Sequence, residues 1–271
     1  MKKFLVPIDF SETSLNAAKY AAGLVQGVAD SHLILYHVYS KITLATLSAK
    51  DEGSRQKVSE GALEEVKKEL NQSGSLFISC VAEEGGFIEN LSDYVQGNKI
   101  DLIIMGITGS SRIKQVFMGT NTLNVVRNVN CPVMIIPPQA HFKGLKKVVF
   151  TSDFKDVART HPFDAIEKLL DMFHPKLEVL NVDEEHYVEL SEEYKVEKRS
   201  MEEGLGKYNP EYAFLRAYDF LDGISSFVES REIDAIITLP KKHSFLSQLF
   251  KTSHTKMLAY HSTVPIIAVP V

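Results

Sequence analysis

The sequence predicts an α/β protein of two tandem, doubly wound domains, each a five-stranded parallel sheet flanked by helices. Two observations predict this fold. Apolar, strand-like segments alternate with helix-like segments along the chain, and three of the strand-like segments recur later in the same order. Strands that are apolar almost throughout are typical of a parallel sheet covered on both faces. Their alternation with helices indicates βαβ units with right-handed crossovers.

The first half of the chain supplies one complete series of elements. A strand is predicted at residues 2–9, and Ser11 can cap the helix that follows it. The later strands are predicted at HLILYHVY, SLFISCVA, DLIIMG and PVMIIP, with helices near 56–70, near 87–97 and from about 120. Residues 41–55 form a long connection after the second strand, which serves equally well as an exposed loop or as a lid over a ligand.

The same order begins again in the second half. The matching pairs are KKFLVPIDF with KKVVFTSDF (2–10 and 146–154), KIDLIIMG with EIDAIITL (99–106 and 232–239), and CPVMIIP with VPIIAVP (131–137 and 264–270). The first pair is offset by 144 positions and the other two by 133, so the second copy is shorter between its first and fourth strands. We therefore predict domains at 1–138 and 145–271, joined by a linker. The densely charged segment from about 189 to 207 is predicted to be a solvated helix.

Composition limits the classes of partner. The net charge of −5 lacks the basic excess that nucleic-acid binding requires. No apolar run approaches the roughly 20 residues that span a bilayer. The two cysteines, Cys80 and Cys131, are too few for a secreted disulfide framework. We expect a cytoplasmic protein with no nucleic-acid or membrane partner.

Three glycines, Gly106, Gly109 and Gly119, lie between the predicted fourth strand and the helix after it. Ligands of open parallel sheets bind beyond the carboxyl ends of the strands. We expect Gly106 and Gly109 to adopt positive φ and to let the backbone approach a ligand closely. The free N–H groups and dipole of a helix that starts at Thr120 would favour a phosphate group. Further hydrogen bonds to phosphate could come from the hydroxyl groups of Ser110, Thr120 and Thr122.

Several other chemistries are not supported. Neither G-x-x-x-x-G-K-[ST] nor a G-x-G-x-x-G after the first strand is present, which argues against a P-loop NTPase or a Rossmann dehydrogenase. A Ser/His/Asp catalytic triad could be named from Asp153, His243 and Ser253, but the sequence has no G-x-S-x-G elbow, so a hydrolase of that type is not supported. Without a C-x2-C or H-x3-H pair, no metal site is predicted.

The spacing Gly106-x2-Gly109-x9-Gly119-Thr120 resembles the nucleotide-binding signature of the universal stress protein family, G-2x-G-9x-G-[S/T]. The segments PIDFS, which contains Asp9, and HVYS resemble that family as well. Because the pattern covers nearly the whole chain twice, the sequence resembles a tandem universal stress protein. The resemblance implies ATP at the first and fourth strand ends. It also implies domains paired through their fifth strands as an internal pseudo-dimer, to which a homodimer contact could be added.

The resemblance also implies roles for individual residues. Asp9, which follows Pro7 and Ile8, would accept a hydrogen bond from the adenine or ribose. Val38 would line the base pocket, and Met105 would contact the base and ribose with Gly106. The residues implied to hold the phosphates, with which a divalent metal could be bound, are Gly109, Gly119, Thr120, Asn121 and Thr122; Ser110 is added only for its hydroxyl group. The residues alone leave Asp9 a second role, as an acid that stabilises the start of the first helix.

In the second copy the glycines are replaced. Leu239, Lys242 and Thr252 stand where Gly106, Gly109 and Gly119 stand in the first, although Asp153 still corresponds to Asp9. We therefore predict that only the first domain holds ATP, in a protein with a regulatory or stress-response role. The alternatives are a slow ATPase and a partner-binding scaffold without nucleotide. Whether the protein is an enzyme stays open, since the sequence offers no obvious general base near the γ-phosphate.

Overall fold

The computed structural model describes residues 1–39, 49–107, 120–182, 192–215, 220–240 and 264–271. These residues divide into two compact units, with the division between Lys143 and Gly144. Each unit contains five parallel strands with helices between them, which confirms the predicted fold class.

The first unit carries its strands in the spatial order β3-β2-β1-β4-β5. Its elements are β1 (Lys2–Pro7), α1 (Glu12–Gln26), β2 (Ser31–Tyr39), α2 (Ala49–Leu70), β3 (Ile78–Glu84), α3 (Phe87–Asn98), β4 (Leu102–Gly106), α4 (Thr120–Asn128) and β5 (Val133–Ile136). Phe4, Leu5 and Val6 of the central β1 are fully buried, as expected of a strand covered on both faces. The predicted cap of α1 is confirmed, because the Ser11 hydroxyl accepts the N–H of Ser14 at 3.3 Å.

The second unit repeats the arrangement in the order β10-β9-β6-β7-β8. Its elements are β6 (Lys147–Ser152), α5 (Val157–Thr160), α6 (Phe163–Phe173), β7 (Lys176–Val182), α7 (Glu192–Leu205), a 3₁₀ turn (Gly206–Tyr208), β8 (Glu211–Leu215), α8 (Phe220–Ser230), β9 (Ala235–Thr238) and β10 (Ile266–Ala268). The first helix of the repeat is broken into α5 and α6 at His161 and Pro162. A proline disfavours helical backbone in the residue before it, and His161 is extended there.

The repeat extends to individual hydrogen bonds. In the first unit the Asp101 carboxylate accepts the backbone N–H of Lys3 at 2.8 Å, and in the second the Asp234 carboxylate accepts that of Lys147 at 2.9 Å. Non-glycine residues with positive φ recur in pairs as well: Phe10 with Phe154 (63° and 52°), Asp30 with His174 (53° and 49°), and Lys99 with Glu232 (53° and 54°). The two copies therefore share unusual backbone positions as well as a strand pattern.

The segment predicted as a linker packs against the first unit. The side-chain amide of Asn16 on α1 donates to the carbonyl oxygens of Pro137 at 3.3 Å and Ala140 at 3.2 Å. The ring of Phe142 lies edge-on to that of Tyr20, with 5.4 Å between centroids. Residues 137–142 therefore pack against α1 and do not form a free tether.

Two helices differ from their predictions. Helix α2 begins at Ala49, so the second half of segment 41–55 is helical, whereas residues 40–48 lie outside the described residues. Helix α7 is not solvated all round, because Tyr194, Met201 and Leu205 are buried on one face. Among the described helices, none combines the length and the apolar character needed to cross a bilayer.

Candidate functional site

A cavity of about 130 Å³ lies at the carboxyl ends of β1, β2 and β4 in the first unit. It is lined by Pro7, Ile8, Asp9, Ser14, His37, Val38, Phe87, Met105, Gly106 and Asn121. An apolar cavity of about 150 Å³ in another protein holds benzene, so this volume suits a single ring system better than a complete nucleotide. The position is the one at which open parallel sheets bind ligands.

The twelve sequence-predicted site residues fall into three groups, of which the third is Thr122 alone, whose buried side chain is not part of the cavity lining. Seven of them line the cavity: Pro7, Ile8, Asp9, Val38, Met105, Gly106 and Asn121. Gly109, Ser110 and Gly119 lie outside the described residues, as does the side chain of Thr120, and their predicted contacts with phosphate stay predictions. Ser14, His37 and Phe87 line the cavity but were not predicted, although His37 stands within the HVYS segment that was noted.

The Asp9 carboxylate is exposed at the cavity and is held by the start of α1. Its Oδ1 accepts the backbone N–H of Ser11 at 3.0 Å and the hydroxyl of Ser11 at 2.5 Å. Partial burial raises the pKa of Asp9, but hydrogen bonds from Ser11 and Ser14 outweigh it, so the pKa lies below its ordinary value. An ionised carboxylate only accepts hydrogen bonds, so its complement on a ligand is a hydroxyl or an amine.

Gly106 departs from its prediction. It is the last residue of β4, in register with Ile136, and its φ lies outside the left-handed range, so the expected positive φ is wrong. A Cβ at this position would lie 2.3 Å from the carbonyl oxygen of Thr13 in the first turn of α1. Glycine is needed here because two backbone segments approach each other closely. This contact sets the start of α1, and with it Ser14, against the end of β4.

Thr122 joins α4 to the same strand end. Its side chain is fully buried, and its hydroxyl donates to the carbonyl oxygen of Gly106 at 3.2 Å. In the structure Thr122 therefore fixes the position of α4, and its predicted contact with phosphate stays a prediction. Asn121, the residue before it, is exposed and reaches the cavity.

His37 links the ends of β1 and β2. Its Nδ1 lies 2.7 Å from the carbonyl oxygen of Ile8. Since a carbonyl oxygen only accepts, Nδ1 must carry the proton of this hydrogen bond. The ring also packs against Phe10, with 4.9 Å between centroids. Together these contacts hold the backbone on both sides of Asp9.

The corresponding place in the second unit is built from different side chains. The hydroxyl of Ser152, the counterpart of Ile8, lies 2.8 Å from Nε2 of His161, and both residues are buried. Phe154, the counterpart of Phe10, packs against Tyr194 with 5.2 Å between centroids. Leu239 is buried at the position that corresponds to Gly106. Lys242, Thr252 and Ser253 lie outside the described residues.

Within the described residues, no three His, Cys, Asp or Glu side chains come together to hold a metal ion. The chain is thus a tandem parallel α/β protein whose described cavity lies at the carboxyl edge of the first sheet. The family model for the universal stress protein family matches residues 1–137, just over half of the sequence. The chain belongs to the universal stress protein family.

Individual relatives agree with this assignment. Universal stress protein MJ0531 of Methanocaldococcus jannaschii is 30% identical over 142 residues, which cover 50% of this chain and 81% of that protein. Universal stress protein MJ0577 of the same organism is 29% identical over 154 residues, which cover 50% of this chain and 94% of that protein. Among solved structures, a universal stress protein from Archaeoglobus fulgidus DSM 4304 matches with a TM-score of 0.69. That match covers 99% of this chain and 98% of the other at 17% identity, and it shows the fold alone.

Proposed function

We propose that the first unit binds ATP and that the chain is a nucleotide-dependent regulator with a stress-response role. The observation that carries the proposal is the cavity at the carboxyl edge of the first sheet. It brings together Asp9, Val38 and Met105, which come from three strand ends and which the family resemblance assigns to the nucleoside. The base would enter the cavity, whose volume of about 130 Å³ suits a ring system.

The chemistry of the lining supports a nucleoside at this end. Val38 and Met105 supply apolar surface, while the ionised Asp9 requires a donor such as a ribose hydroxyl or an exocyclic amine. The phosphates would extend towards the start of α4 at Thr120, where free backbone N–H groups and the helix dipole favour negative charge. A divalent cation would enter with the phosphates.

The second unit differs from the first at the corresponding place, which favours one nucleotide per chain, bound in the first unit. A buried Leu239 replaces Gly106, and its first helix is broken at Pro162, so the close contact between strand end and helix start is not repeated in the same form. Phe154, the residue after Asp153, packs against Tyr194. The retained acid alone does not rebuild the site.

The nucleotide carried by the purified full-length chain tests the proposal. Mass analysis is expected to find ATP, with little ADP formed over hours. Steady ADP release would instead favour the slow ATPase, and an empty chain that also fails to bind added ATP would favour the partner-binding scaffold. The first result would replace the regulatory role by catalysis, and the second would overturn nucleotide binding itself.

A matched pair of variants locates the site. Asp9→Ala should weaken ATP binding about tenfold or more, because a hydrogen bond to a charged group contributes about 1.5–3 kcal/mol. Asp153→Ala changes the corresponding acid of the second unit and should leave the affinity unchanged. If Asp153→Ala weakens binding and Asp9→Ala does not, the nucleotide lies in the second unit.

A further inference from the structure

Phe87 reaches the cavity from α3, an element that contributes nothing to the glycine signature. We propose that Phe87 is the aromatic wall against which the base of the bound nucleotide stacks, an inference that rests on the proposed function. Phe87 is the first residue of α3, is half-buried, and lines the cavity together with Val38 and Met105. Aromatic rings and flat heterocycles stack favourably, whichever base supplies the ring.

The wall is held in place before any ligand arrives. The side-chain amide of Asn90 donates to the carbonyl oxygen of Glu84 at 3.2 Å and to Oε2 of Glu83 at 3.3 Å. The same carboxylate oxygen accepts the hydroxyl of the fully buried Tyr36 at 2.5 Å. These hydrogen bonds connect the end of β3 to the first turn of α3. A preorganised wall contributes more to affinity, because less order must be created on binding.

The turn that leads into α3 depends on glycine. Gly85 has a φ of 148°, which side chains rarely adopt, and a Cβ there would lie 2.3 Å from Oδ1 of Asn90. The backbone N–H of Asn90 also donates to the carbonyl oxygen of Gly86 at 3.0 Å. The approach of the chain to Phe87 is therefore fixed by backbone geometry on one side and by Asn90 on the other.

Charge determines which end of the ligand meets this wall. Glu83 and Glu84 end β3 and Glu89 lies in the first turn of α3, and like charges at close range would oppose a phosphate group there. The start of α4 carries Thr120 and Asn121 and no acidic residue in its first turn. The base, which is neutral, is thus directed to Phe87, and the phosphates are directed to α4.

Three variants of the full-length chain test the stacking role by titration calorimetry with ATP and with AMP. Phe87→Ala should weaken both ligands by the same factor, about 5- to 150-fold, because base–aromatic stacking is lost and the phosphates are untouched. Phe87→Tyr keeps the ring and should bind close to wild type. Phe77→Ala removes a ring that is 59% exposed just before β3, and should leave both affinities unchanged.

Inorganic tripolyphosphate, used as a competitor of ATP, separates stacking from damage to the fold. Its inhibition constant should be the same for wild type and Phe87→Ala, because it has no base. A folded Phe87→Ala chain that binds ATP as wild type does, or that loses tripolyphosphate and AMP equally, would overturn the stacking role. A wild-type chain that binds neither ATP nor AMP would overturn the proposed function itself. That result is obtained without any variant, so the two failures can be told apart.

Discussion

The substitution Gly106→Ala tests whether this glycine serves the packing of α1 against β4. The added Cβ would lie 2.3 Å from the Thr13 carbonyl oxygen and 2.7 Å from its carbonyl carbon. Real Cβ atoms essentially never approach closer than 3.0 Å, so the two segments must separate by about 0.7 Å. Both contacting atoms belong to the backbone, and no side-chain rotation can relieve the clash.

Overpacking of this kind typically costs about 1–3 kcal/mol, and we expect the upper part of that range because the neighbour is backbone. Gly61→Ala is the matched control. Gly61 is exposed within α2, and nothing lies within 4 Å of an added Cβ. This substitution should stabilise the same unit by about 0.5–1 kcal/mol, since alanine favours helix over glycine.

The assay is urea unfolding of the nucleotide-free chain, followed by far-ultraviolet circular dichroism. Because the chain has two units, the midpoints of wild type and both variants are compared within the same transition. Gly106→Ala should lower the midpoint and Gly61→Ala should raise it. A Gly106→Ala midpoint equal to or above that of wild type would refute the packing role.

Three further predictions follow from hydrogen bonds and from one titrating group. Thr122→Val removes the buried hydroxyl that donates to Gly106 and should cost about 0.5–1.5 kcal/mol in urea unfolding; an unchanged stability would contradict that role. Burial lowers the pKa of His32, so the unfolded chain binds its proton more readily, and stability should fall as the pH drops below 6.5. His32→Gln should flatten that part of the pH profile, and an unaltered slope would exclude His32 as its source. Asn16→Ala breaks the hydrogen bonds to Pro137 and Ala140 and should speed limited proteolysis within residues 137–142. Equal cleavage rates for wild type and the variant would contradict the proposed packing of this segment.

The fold was predictable because the strands of a parallel sheet that is buried on both faces are continuous runs of apolar residues. Phe4, Leu5 and Val6 form an apolar run, and their surroundings in the sheet require it. The repeat was predictable because these apolar strand segments recur in the same order in the second half of the sequence. The N-cap of α1 was equally local, since Ser11 needs only the N–H of Ser14, three residues on.

Other features depend on contacts between distant residues. The reason for Gly106 is the position of Thr13, which no local pattern gives. Phe87 lines the cavity from the start of α3, which hydrogen bonds connect to the end of β3, and no local pattern gives that placement. In α7, dense charge obscured a buried face, although Met201 and Leu205 stand one helical turn apart. When a site is built from several elements, only the residues that belong to a local sequence motif can be predicted from the sequence.

We propose that one ATP binds per chain, in the first unit. Titration of the full-length protein with ATP measures this stoichiometry directly. We expect a value near one, and Gly119→Val should reduce it to zero in a folded chain, because the family resemblance assigns Gly119 to the phosphates. A value near two, or a folded Gly119→Val chain that binds ATP normally, would contradict it.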